Sequence, residues 1–144
     1  MFKLLFSILF GVIVFNVSYI KTIFKRFLSK VDMKILKFED ASYITVNART
    51  KRKLIHTANL MTVIVDFTDG PWSEQDPLHN HPHEQITAIV EGEVIFYLEG
   101  EEVQLLKTGD MIAIPPYQKH AIKLISKTAR LIDTFTPVRE DFLK

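Results

Sequence analysis

Four histidines in two short segments are the residues of this 144-residue chain whose types and spacing could most clearly do chemistry. His79, His81 and His83 stand on alternate positions, and His120 ends a second segment that is rich in turn residues. In an extended strand, residues two apart point to the same face, so a His-x-His pair presents two imidazoles side by side. Neutral imidazole is the commonest metal ligand in proteins. The pattern therefore predicts a metal site whose ligands come from two separate segments.

Short strands separated by glycine and proline turns must position these side chains. Seven segments rich in β-branched and aromatic residues are predicted strands: Leu60–Phe67, Gln85–Val90, Glu93–Leu98, Val103–Leu106, Met111–Ile114, His120–Ile125 and Ala129–Phe135. Such strands at spacings of roughly 8–12 residues are typical of an all-β sandwich or barrel. The sequence from residue 33 onward sustains no helical period, and its tail predicts a short turn at most. Because a small barrel exposes sheet edges, we expect a homodimer.

The composition excludes several classes of function. The chain has no cysteine, which rules out disulfides, thiolate zinc sites and thiol nucleophiles. Residues 1–32 carry five basic and one acidic side chain, whereas residues 33–144 carry 13 basic and 16 acidic ones. A mildly acidic body without a basic stripe argues against a nucleic-acid partner.

The first 32 residues differ from the rest and are predicted to lie outside the barrel domain of residues 33–144. Leu4–Ile20 is almost wholly apolar and is followed by four basic residues. No small-x-small cleavage site follows it, which disfavours a secretory signal. A membrane anchor of about 17 residues is at the short limit for a bilayer, and the positive-inside rule would then place the body in the cytoplasm. The alternative is that translation begins at Met33, which also predicts a cytoplasmic protein.

The spacing around the histidines resembles the two motifs of the cupin family. Gln85 follows His81 by four residues and precedes Gly92 by seven, and Gly109 precedes Pro115 by six and His120 by eleven. The resemblance implies a double-stranded β-helix, or jelly-roll barrel, whose motif side chains point inward onto one divalent ion. Carried over by position, the ligands are His79, His81, Gln85 and His120.

One ligand position departs from the usual family pattern, because Gln85 stands where a glutamate is common and Glu84 precedes it. Spacing to Gly92 and strand alternation both favour Gln85. Three imidazoles and an amide are all neutral, so a divalent ion keeps its full charge and acts as a strong Lewis acid, which favours non-redox chemistry. Such ligands accept Ni, Zn, Mn, Fe or Co. Pro82 and the following turn are expected to place His83 at the rim, in a structural or supporting role.

The C-terminal segment adds a carboxylate, an aromatic ring and a cation. Asp133 and Phe135 share strand parity, but periodicity alone leaves open whether Asp133 faces inward or outward. This ending, with the His-x-His-Pro-His-x-Gln string, resembles the KdgF group of cupins, which act in pectin and alginate breakdown. The resemblance implies ring opening of 4,5-unsaturated monouronates to a linear 4-deoxy-5-keto-uronate. It assigns Asp133, Phe135 and Arg139 to catalysis and to binding of a small anionic sugar.

Two other functions stay open at this point. One is a cupin enzyme of another kind, an oxygenase or isomerase acting on a different small molecule, against which Gln85 argues if the chemistry needs redox iron. The other is a non-catalytic sugar-binding cupin, although the sequence contains no helix-turn-helix pattern to which a sensing module would be coupled.

Overall fold

The computed structural model describes residues 33–144, and these are almost entirely β-structure. The elements are β1 Ile44–Asn47, β2 Thr50–His56, β3 Met61–Phe67, β4 Glu84–Glu91, β5 Glu93–Leu98, β6 Gln104–Lys107, β7 Met111–Ile114, β8 His120–Leu124, β9 Ala129–Thr136 and a 3-10 helix, Glu140–Leu143. Within this range there is no helix with the length and hydropathy to span a bilayer. The predicted apolar segment 4–20 lies outside the described residues, so the anchor and the alternative start at Met33 stay predictions.

The strands form two antiparallel sheets. The larger has the order β1-β2-β3-β9-β4-β7 and the smaller the order β6-β5-β8. Strands distant in the sequence are neighbours, since β9 lies between β3 and β4. Gly92 closes the turn between β4 and β5 with a φ of 86°. A side chain there would place its Cβ 2.4 Å from the carbonyl oxygen of Thr128, so this turn requires glycine. The all-β prediction is confirmed.

The seven predicted strands are present with bounds within one residue, but β1 and β2 were missed. The β2 sequence Thr-Lys-Arg-Lys-Leu-Ile-His carries three consecutive basic residues and lacks the alternation of apolar side chains that marks a strand. On its outer face the ammonium groups of Lys51 and Lys53 lie 4.2 Å from the centroid of the Tyr43 ring. The residue between them, Arg52, faces the other side. In this strand, long basic side chains therefore supply the packing contacts that apolar side chains supply in the other strands.

Buried residues of both sheets form the core, and most of them come from the inner face of the large sheet. On β3 every second residue is buried, including Met61, Val63 and Val65, and on β9 Leu131 and Phe135 are equally inaccessible. Burial of each large apolar side chain contributes about 1.5–3 kcal/mol. Asp133 lies between these two residues on the same face of β9, so this strand places an ionisable side chain among the apolar residues of the inner face.

An ion pair joins β3 and β9 on the outer face. Asp66 and Arg130 are directly opposite in the register, and Arg130 donates from Nε at 2.6 Å and from Nη2 at 2.9 Å to the carboxylate. The Tyr43 hydroxyl donates to the same carboxylate. Burial by itself would raise the pKa of Asp66, but the hydrogen bonds from Arg130 and Tyr43 outweigh it and the pKa is lowered. The pair thus stabilises the folded state while Asp66 is ionised.

Candidate metal centre and cavity

Three histidines converge at one end of the barrel. His79 and His120 form an isolated antiparallel bridge, in which each backbone N–H donates to the other's carbonyl at 3.0 and 2.9 Å. The donor nitrogens of His79, His81 and His120 all lie within 4.8 Å of one another. Apart from this bridge, residues 79–83 are not part of a strand, and the chain bends at Pro82 and His83. In the described part of the chain, His83 does not belong to this converging group.

Backbone carbonyls orient two of the imidazoles. The Nδ1 of His81 lies 3.1 Å from the carbonyl oxygen of His83, and the Nδ1 of His120 lies 2.9 Å from that of Gln118. A carbonyl accepts the Nδ1 hydrogen, so each Nε2 is left as an acceptor. Burial lowers the pKa of both rings, and that of His120 falls to about 4. Both imidazoles are therefore neutral at pH 7, which is the form that binds a metal ion.

Gln85 lies on β4 with its amide oxygen toward the histidines. Its Oε1 is 2.9 Å from the Nε2 of His81. Two ligand atoms bound at right angles to one ion, each at about 2.1 Å, are separated by about 3.0 Å. The Gln85 Nε2 donates to the Thr87 hydroxyl at 2.8 Å, which fixes the amide with its oxygen on the histidine side. The donor set and its spacing therefore fit a divalent ion.

A chain of hydrogen bonds connects this centre to Asp133. The Thr87 hydroxyl accepts from Gln85 and donates to the Asp133 carboxylate at 2.6 Å. Burial raises the pKa of Asp133 to about 6, although hydrogen bonds from Thr87 and Gln85 and the charge of Arg139 oppose the rise. The side chain keeps some accessibility because it lines the cavity. Asp133 thus faces inward, which periodicity had left open.

Phe135 and Arg139 complete the wall beside Asp133. Phe135 is 2% exposed, and its ring centroid is 5.5 Å from that of His81. The Arg139 guanidinium carbon lies 5.2 Å from the Phe135 centroid and 3.9 Å from that of Phe142. Asp141 accepts from Arg139 at 2.8 and 3.3 Å, and this pairing lowers the pKa of the carboxyl. Arg139 is held in place by residues of the C-terminal 3-10 turn.

These side chains enclose a cavity of about 170 Å³. A cavity of about 150 Å³ accommodates one benzene ring, so the volume suits a single six-membered ring. Six of the seven predicted site residues line it, and the seventh, His81, contacts the lining residue Gln85. Apolar side chains of the large sheet, including Val65, Phe67 and Leu131, also line it. The arrangement can hold a small ring against both polar side chains and apolar packing.

Several residues of the cavity were not found in the sequence. Thr87 is 1% exposed and lies between two predicted residues, and its shared parity with Gln85 on β4 was a usable signal. Arg52, Asp76 and Phe142 also line the cavity. Burial raises the pKa of Asp76, against the opposing charges of Arg49 and His79.

Comparison with known proteins agrees with this geometry. Residues 65–135 match the family model described as the Cupin domain. The chain is 37% identical over 95 residues to the pectin degradation protein KdgF of Dickeya dadantii (strain 3937), a match that covers 65% of this chain and 83% of that protein. The solved structure of KdgF from Halomonas sp. matches with a TM-score of 0.69 and 30% identity, covering 76% of this chain and 99% of that one. An RmlC-like cupin from Shewanella frigidimarina NCIMB 400 matches with a TM-score of 0.69 and 29% identity, covering 77% and 96%.

Proposed function

This chain belongs to the cupin family, and we propose that it is a metal-dependent enzyme that opens the ring of 4,5-unsaturated monouronates released by pectin or alginate lyases. The observation that carries the proposal is Asp133, a half-buried carboxyl with a pKa of about 6 on the wall of a ring-sized cavity. Hydrogen bonds connect it through Thr87 to Gln85, whose amide oxygen faces the histidine cluster. The name of the KdgF relatives supports a place in pectin degradation.

The reaction is an isomerisation that moves protons and needs no oxidant. A proton leaves the C1 hydroxyl, the C1–O5 bond breaks to give an aldehyde, and the electrons pass to the enol oxygen. A proton added at C4 then gives the 5-keto product. With a pKa of about 6, Asp133 is mostly ionised at pH 7 and can take the first proton, and its conjugate acid can return a proton to carbon.

His79, His81, Gln85 and His120 would hold the divalent ion, whose bound form supplies Lewis-acid stabilisation of the negative charge on oxygen. Because the four donors are neutral, they leave that charge undiminished. Ni, Zn, Mn, Fe and Co are all compatible with this donor set.

Phe135 and Arg139 have supporting roles in the proposal. The buried ring of Phe135 gives the sugar a flat apolar surface, and it keeps water away from the His81 side of the cavity. Arg139, fixed by Asp141, adds positive potential that favours an anionic sugar over a neutral one. Neither group exchanges a proton in the reaction.

The test is to follow loss of the ultraviolet absorbance of the substrate's conjugated alkene, with the spontaneous reaction as the baseline. We expect the metal-loaded protein to accelerate the reaction and Asp133→Asn to abolish this acceleration. The control Asp40→Asn, which removes an exposed carboxylate from outside the cavity, should leave activity unchanged. Metal content should be equal in all three proteins. Absence of acceleration by the unmodified chain would refute the proposed activity.

A further inference from the structure

Two arginines reach the cavity, and they differ in their partners. The guanidinium of Arg139 is paired with Asp141. Arg52 forms no ion pair with a carboxylate in the described part of the chain, and its Nε is buried without a hydrogen-bond partner there. Arg139 therefore already has a carboxylate partner within hydrogen-bond distance, whereas Arg52 has none in that part of the chain.

Strand register directs Arg52 to the same face as the proposed catalytic residues. On β2 it is opposite Val65, and Val65 is opposite Leu131 on β9. Leu131 is two residues from Asp133, so both point to the inner face. Arg52, Val65, Leu131 and Asp133 all line the cavity. The guanidinium is thus part of its wall, whereas Lys51 and Lys53 face the other way over the Tyr43 ring.

The ring of Phe142 separates the two cations. The guanidinium carbon of Arg52 lies 3.6 Å from the ring centroid, and that of Arg139 lies 3.9 Å from it. Groups so close to a centroid lie over a ring face, and one face has room for one guanidinium, so the two flank the ring. Burial and the charge of Arg139 lower the pKa of Arg52, against the opposing charge of Asp141. An arginine nevertheless stays charged, so this side of the cavity carries unbalanced positive charge.

We propose that Arg52 is the residue that binds the carboxylate of a monouronate in this cavity, with Arg139 as a second cation fixed by Asp141. The proposal rests on the proposed function for the ligand class and adds to it the residue that recognises the acid. A buried N–H without an acceptor, such as the Nε–H of Arg52, is costly, and a ligand carboxylate would provide both an opposite charge and acceptors for the guanidinium fork.

The test compares binding of galacturonate and of its neutral counterpart, galactose, to the full metal-loaded chain by calorimetry. The variant is Arg52→Gln. Its matched control, Lys51→Gln, removes the same charge from the adjacent position on the outer face. We expect Arg52→Gln to weaken galacturonate binding on the order of 10- to 100-fold, as for loss of a charge-assisted hydrogen bond, and to leave galactose binding within about twofold. Lys51→Gln should bind both as the unmodified chain does.

Two results would overturn the proposal. One is equal galacturonate affinity in Arg52→Gln and the unmodified chain, including the case where the variant has a lower melting temperature, since Arg52 would then only support Phe142. The other is an unmodified chain that does not prefer galacturonate to galactose. Turnover of the unsaturated uronate is measured separately. Failure of turnover together with Arg52-dependent galacturonate binding would reject the proposed reaction and leave this inference standing.

Discussion

Replacing Thr87 by valine tests whether the hydrogen-bond chain sets the protonation of Asp133. The change keeps the side-chain shape but removes the hydroxyl that donates to Asp133 at 2.6 Å and accepts from Gln85 at 2.8 Å. A hydrogen bond to a charged group is worth about 1.5–3 kcal/mol. Because that bond favours the carboxylate, its loss raises the pKa of Asp133 above its value of about 6.

The size of the effect follows from the energy of the lost bond. Since 1.36 kcal/mol corresponds to one pKa unit, the acid limb of the pH profile of kcat/KM should move to higher pH by about one to two units. At pH 7 the ionised fraction of Asp133 then falls from about nine-tenths to between about a half and a tenth. Alkene loss at pH 7 should slow about two- to tenfold and recover at pH 9.

Thr87→Ser is the matched control, because serine keeps the hydroxyl and should keep the acid limb near pH 6. Metal content distinguishes loss of Asp133 tuning from loss of Gln85 orientation, since Gln85 bonds to the same hydroxyl. An acid limb that stays near pH 6 in Thr87→Val, with metal content intact, would refute the role given to this chain of hydrogen bonds.

Two further predictions concern the metal and the fold. His120→Ala should lower metal affinity, measured as metal content after dialysis. Losing a residue that only hydrogen-bonds to a metal ligand costs roughly 10- to 100-fold in affinity, and losing a ligand should cost more. His56→Ala, outside the cavity, should leave metal affinity unchanged. Asp66→Asn should lower the free energy of unfolding by about 1–3 kcal/mol because it breaks a part-buried pair with Arg130, whereas Glu99→Gln, in an exposed pair, should change it by less than about 1 kcal/mol. Folding lowers the pKa of Asp66, so its contribution to stability is present above about pH 4 and is lost as the pH falls through the folded-state pKa. Denaturant titrations should therefore show that Asp66→Asn loses less stability on acidification than the unmodified chain does.

The sequence predicts the strands better than it predicts their neighbours. Gly92 and Gly109, with the proline turns, mark strand ends locally, so seven strands are readable from residue types. The register that places Thr87 opposite Asp133 joins residues 46 positions apart, and no local pattern contains it. Strand parity already places Thr87 beside Gln85, but a threonine in a strand is also an ordinary β-branched residue, and only the register shows that Asp133 is its second partner.

Arg52 was missed for a different reason. Strand prediction looks for apolar alternation, and β2 replaces it with basic side chains of which one faces inward. An inward arginine is expected only when an acidic partner is known, and the charged group that shares the Phe142 ring with Arg52 is another cation, Arg139. A charge in a strand interior therefore indicates a site only after the cavity that it lines has been located.

The amide at position 85 connects the candidate metal centre to Asp133, the proposed acid–base residue. An amide has an acceptor on one side and donors on the other, so Gln85 can face His81 with its oxygen and still donate to Thr87. An ionised glutamate at this position would have no hydrogen to donate and would compete with Asp133 for the single hydrogen of the Thr87 hydroxyl. Its negative charge would also raise the pKa of Asp133. The neutral amide therefore gives the hydrogen-bond chain one direction, ending at Asp133, and keeps that carboxylate available near pH 7 beside a centre that would retain the full charge of its ion.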